Sequence, residues 1–202
     1  MSYGVSSKDY LRRARRCLNT RTLQGLFYAA FELRCGIEAR IHEYLDAQET
    51  VSKRKKRGWK IAKLARNLEA AFASGEHVIE LTIITDNQRD GTAFYFTPVT
   101  ANLRRMAERL GDYMHAMQRV PPSEEWWSAM RDYLEEVFEQ LYQANAGTLL
   151  APPIVNAKGE MRLIHELLPG ENAQETSALM GRPGTDVIVQ VRYLDSVPAD
   201  GR

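Results

Sequence analysis

The chain has 202 residues, 44% hydrophobic and 26% charged, enough to bury a core without a metal or disulfide staple. It holds no long apolar run free of charge, which argues against a transmembrane helix, and its first residues, MSYGVSSKDYLRRARR, lack the apolar stretch of a secretory signal. The net charge of +1 hides an asymmetry: residues 1–75 carry 16 Lys/Arg against 7 Asp/Glu, and residues 76–202 carry 11 against 19.

Ser6 or Ser7 is placed to cap a first helix running to about Asn19, with Tyr10, Leu11, Ala14, Cys17 and Leu18 as its apolar stripe. A longer helix is expected from about Thr22 to Ala47. Leu23, Leu26, Ala30, Leu33, Ile37, Ile41 and Tyr44 recur there at three- and four-residue steps. Arg34 falls inside this apolar arc, where an arginine snorkels or pairs with a carboxylate. The basic run Lys53, Arg54, Lys55, Lys56 and Arg57 follows, then a helical pattern from Trp59 to Phe72.

The period changes after His77. VIELTII and TAFYF flank an Asp90-Gly91 turn signal, which predicts a β-hairpin over about 78–97. Pro98 suits the first turn of another helix, with Thr97 as cap and Gln118 near its end. Ser123 caps a further helix with Glu124 and Glu125 in its first turn and Trp127, Met130, Leu134, Phe138 and Leu141 on its core side. Trp126 and Trp127 are adjacent, so one narrow face cannot bury both. Beyond Gly147, Pro and Gly punctuate short apolar runs. MRLIHELL and DVIVQVRYL read as strands, with a short helix near 171–180. The fold class is therefore α+β: a helical domain over 1–147 with an inserted hairpin, and a small β-rich extension over 148–202.

Cys17 and Cys35 lie in helical patterns without CxxC spacing, as in a reduced cytoplasmic protein. The histidines at 42, 77, 115 and 165 have no metal-ligand spacing, and no phosphate-binding glycine loop or hydrolase motif occurs, so no cofactor is expected. The segment LRRMAERLGDYMHAM carries the most chemistry. On a continuous helix, Leu103, Met106, Leu110, Met114 and Met117 form one apolar stripe. Arg109, Asp112 and His115 climb the opposite arc at i, i+3 and i+6, with Arg105 a turn below. An arginine fork suits phosphate, and histidine moves protons near neutral pH. The same residues also suit a solvent face with ordinary ion pairs.

Arg109 separated by five residues from His115, the order of helices, and GLFYAAFELRCGIEARIHEYL at 25–45 together resemble the HEPN superfamily. The resemblance covers about residues 7–145. It implies a helical bundle and a metal-independent RNase, commonly dimeric, with the motif lining a cleft between subunits. In that reading Arg109, Asp112 and His115 are catalytic. Arg105 and the run Lys53, Arg54, Lys55, Lys56 and Arg57 contact RNA. The expected activity is a cytoplasmic endoribonuclease of a defence or toxin–antitoxin type, with no membrane association. The alternative is an inactive dimeric module that binds a protein partner, such as an antitoxin, or RNA. Leu110, which follows Arg109 where active members often carry a polar residue, supports that alternative.

Overall fold

The computed structural model describes residues 3–47, 52, 56, 63, 64, 66, 76–85, 91–115, 122–152, 154, 155, 161, 162 and 187–198. The chain is α+β and mainly helical. It divides into two compact units, residues 1–71 with 99–145, and residues 72–98 with 146–202.

The first unit is built on α1 (Ser7–Asn19), α2 (Leu23–Asp46), α3 (Ala101–Leu110) and α4 (Glu124–Ala144). Each starts where a hydroxyl takes an otherwise unpaired helix amide. Ser6 accepts from Asp9, whose carboxylate receives the Ser6 amide in return. Thr22 accepts from Gly25, Thr100 from Leu103 and Ser123 from Trp126. Such a cap is worth about 1 kcal/mol. The long stripe of α2 forms the centre of the core: Leu26, Ala30, Leu33, Ile37, Ile41 and Tyr44 are buried. α1, α3 and α4 all pack against α2. Gly36 permits a close approach of α4, since a Cβ there would lie 2.8 Å from Leu141 Cδ2.

α3 differs from its expected span at both ends. It begins at Ala101 rather than near Pro98, because the Thr97 hydroxyl accepts from the Gly147 amide instead of capping a helix. It stops at Leu110 and tightens into a 3₁₀ turn over Gly111–Met114, rather than continuing to Gln118. An unbroken helix would have the Gly111 amide bond the Ala107 carbonyl. That carbonyl instead accepts from Arg34 Nη1 at 3.2 Å, and the Gly111 amide turns to Glu108 and Arg109. Leu103, Met106 and Leu110 are buried as the stripe requires, but Met114 is swung out and exposed.

In the second unit, β1 (Val78–Thr85) and β2 (Thr92–Phe96) form the expected hairpin, with Gly91 at a φ of +65°. β5 (Val187–Leu194) lies antiparallel on the other side of β1, giving the order β2-β1-β5. The hairpin and the late strand, read separately in the sequence, thus share one sheet. Arg192 stands opposite Glu80 in the β1–β5 register, and its guanidinium grips the buried Glu80 carboxylate. Thr82 adds a hydroxyl hydrogen bond to the same carboxylate. Two short strands, β3 (Ile154–Val155) and β4 (Met161–Arg162), pair separately. The helix expected over 59–72, apart from helical residues 63, 64 and 66, lies outside the described residues, as does the short helix near 171–180.

Candidate active site

The local build of the site starts at Arg34. Its guanidinium pairs with Glu38 one turn along α2, at 3.3 Å, and donates to the last turn of α3 through Ala107. A cation at a helix C-terminus is favourable because the final carbonyls lack intrahelical partners. Gly111 leaves the room for this contact, since a Cβ there would come within 2.8 Å of Arg34 Nη1. The candidate residues follow where the helix gives way to the turn.

Arg109 is exposed on the last turn of α3, and its guanidinium lies over the Tyr133 ring, 4.6 Å from the centroid. The Tyr133 hydroxyl donates to the Met106 carbonyl at 2.9 Å. Burial pushes its phenol up to about 12, and Arg109 opposes that rise. Asp112 is exposed in the 3₁₀ turn and its charge adds to the rise of the same phenol, but among the described residues no ion pair joins it to Arg109. His115 follows the turn with extended backbone, φ −90° and ψ 158°, and is exposed. Among the described residues no hydrogen bond or ion pair joins His115 to Arg109 or Asp112. The i, i+3, i+6 ladder of a continuous helix is therefore replaced by a turn that presents all three to solvent.

Arg105 is exposed and reaches Asn102 at 3.5 Å. Of the basic run, Lys56 is half-buried and its ammonium donates to the Asp46 carbonyl at the end of α2, at 2.9 Å. Lys53, Arg54, Lys55 and Arg57 lie outside the described residues. His42 stays on the outer flank of α2 near Glu38, whose carboxyl burial pushes up while Arg34 pulls it down. Cys17 and Cys35 are free thiols, and burial pushes Cys35 up to about 11. That makes Cys35 a poor nucleophile at neutral pH.

Sequence patterning missed the rings around the motif. Phe27 meets Trp127 edge-on at 5.6 Å between centroids, Trp127 meets Trp126 at 4.8 Å, Trp126 meets Tyr113 at 5.7 Å, and Tyr113 meets Tyr133 at 5.9 Å. All five rings are partly exposed. The signal was the Trp126-Trp127 pair, which one helix face could not absorb. Tyr133 gave no sign of its own, being one more aromatic on an amphipathic helix.

No helix among the described residues is long and apolar enough to cross a membrane. No family model, curated protein or solved structure matches the chain.

Proposed function

We propose that the chain is a HEPN-like, metal-independent endoribonuclease of a defence or toxin–antitoxin type, acting as a dimer in the cytoplasm. The observation that carries this reading is the exposed turn itself. An arginine over the Tyr133 ring, a carboxylate three residues further on and a histidine on extended backbone are all exposed within seven residues. A stacked guanidinium keeps its in-plane N–H groups for phosphate oxygens. His115 takes the proton of an RNA 2′-hydroxyl as that oxygen attacks the adjacent phosphorus. The bond to the 5′-oxygen breaks, water protonates the leaving oxygen, and the products are a 2′,3′-cyclic phosphate and a 5′-hydroxyl. Arg109 meets the charge that builds on the phosphoryl oxygens. Asp112 orients His115 once RNA closes the site. Arg105 and the basic run 53–57 serve as backbone contacts.

A second reading, an inactive dimeric module for a protein partner or RNA, draws on two observations. Leu110 is fully buried directly after Arg109, and Tyr28 and Phe31 expose large apolar surface on α2.

Cleavage of total RNA in EDTA separates the two. The wild type is expected to cut and leave cyclic phosphate ends. His115→Ala should lose about 10²–10⁴-fold in rate and Arg109→Ala about 10²–10³-fold. Both side chains are exposed, so both variants should keep the wild-type circular dichroism and the mass of two 23.0 kDa chains in light scattering. A wild type that cuts nothing, or a folded His115→Ala that cuts equally well, leaves the binding module.

A further inference from the structure

We propose that Tyr113 and Trp126 form a stacking shelf beside Arg109 for an unpaired nucleobase, so that the site takes single-stranded RNA and not duplex. This rests on the ribonuclease reading and adds a subsite to it. Aromatic chains inside proteins are normally buried; here every ring from Phe27 to Tyr133 keeps part of its surface in water. The chain also has a direction. It ends at Tyr133, on which the Arg109 guanidinium lies at 4.6 Å, and Tyr113 is the next ring, 5.9 Å further on. A phosphate held by Arg109 therefore carries its neighbouring base towards Tyr113 and then Trp126. Bases stack on such rings with little regard to sequence, because every base has a π-face.

The charges favour one strand over two. Arg105 and Arg109 are exposed cations on α3. Glu124 and Glu125 adjoin Trp126, and Glu136 acts on Tyr133; all three are exposed carboxylates on α4. A duplex brings a dense double row of phosphates, which these carboxylates repel, and its bases are already stacked on one another. A single strand can set one phosphate on Arg109 and turn its base onto the rings.

The test uses the full chain and a fluorescent 2′-O-methyl RNA 12-mer, which binds but cannot supply the attacking hydroxyl. Anisotropy should show the single strand binding more tightly than its duplex. Tyr113→Ala and Trp126→Ala should each weaken the single strand roughly 5- to 150-fold, the range of one lost base–aromatic stack. The salt dependence should stay unchanged because no charge is removed, whereas Arg109→Ala should flatten it. Tyr113→Phe keeps the ring and should bind as the wild type does. If an alanine variant fails to fold, Tyr113→Leu, which keeps apolar bulk without a π-face, takes its place with the same expected loss. A wild type that binds and cuts RNA beside ring variants that match it overturns the shelf alone. Equal affinity for duplex overturns it too, as do ring variants that lose dimer mass while their single-strand affinity holds, since the rings would then be a protein contact. A wild type that binds no single strand at any salt overturns the shelf together with the ribonuclease reading.

Discussion

Two helix ends in the first unit are held by arginines from the same helix, in opposite surroundings. At the end of α4, Arg40 is fully buried, donates to the Ala144 carbonyl at 2.9 Å, pairs with Glu43 at 3.0 Å and stacks on Tyr44. At the end of α3, Arg34 is partly exposed, donates to Ala107 and pairs with Glu38. The first arrangement fixes a helix end inside the core. The second ends a helix early and turns the chain outward into the candidate site. The chemistry is the same, a cation on an orphan carbonyl. The surroundings decide whether it serves stability or presents side chains to solvent.

The contrast predicts a large effect at one arginine and a small one at the other. Arg40→Met keeps bulk but strips the charge from Glu43 and the donor from Ala144. It should cost about 3 kcal/mol in denaturant unfolding, the low end for a broken buried pair, because Glu43 keeps a quarter of its side chain in water. A loss below that of Arg34→Met would break the contrast. Arg34→Met should cost only about 1 kcal/mol, since it removes one partly buried hydrogen bond to Ala107 and an ion pair whose partners both still reach water.

Gly111 sharpens the point. In the wild type, Gly111→Ala drives a methyl against Arg34 Nη1, and the hydrogen bond it displaces, about 1 kcal/mol, should cancel alanine's gain as a helix former and leave stability nearly unchanged. On an Arg34→Ala background the same change should stabilise by up to about 0.8 kcal/mol, because alanine is the better helix former and the Ala107 carbonyl is free again. A double-mutant cycle reads this as a coupling of about 1 kcal/mol between the two positions. Additive effects would mean that Arg34 does not end the helix.

The smallest effect belongs to Glu38. Its carboxyl is raised chiefly by burial, so the folded chain binds its proton more tightly than the unfolded chain does. Its contribution to stability is therefore present below the unfolded value near 4.5 and is lost as pH rises through the raised folded value. Thermal midpoints of wild type and Glu38→Gln should converge at pH 4 and separate above it, with the glutamine variant higher. Parallel curves would show that Arg34 already compensates for the burial.

What the sequence disclosed follows from how far each cause reaches. α2 was legible because its apolar stripe repeats for 24 residues, and α4 because Ser123 and its two glutamates mark the start. The hairpin was legible from a local turn and two β-branched runs. The end of α3 was not, because its cause, Arg34, stands 73 residues away and acts on a backbone carbonyl that no side-chain pattern reports. The pairing of β5 with β1 was hidden for the same reason: alternation marks a strand but does not name its neighbour. In the candidate site, Arg109, Asp112 and His115 were visible as a spacing. Their actual presentation depends on a 3₁₀ turn, and Tyr133, the ring under Arg109, belongs to another helix.

The order β2-β1-β5 also sets a timetable for synthesis. Both stretches of the helical unit have left the ribosome once residue 145 has emerged, but β1 must wait about a hundred residues for the strand that covers its second edge. Until then the hairpin carries an unpaired edge next to Ile79, Leu81 and Ile83, and the Glu80 carboxylate has no counter-charge from Arg192. Closing such a distant pair is entropically slow. While it lasts, that lone carboxylate acts as a gatekeeper, a charge on the open edge that discourages pairing with another nascent chain.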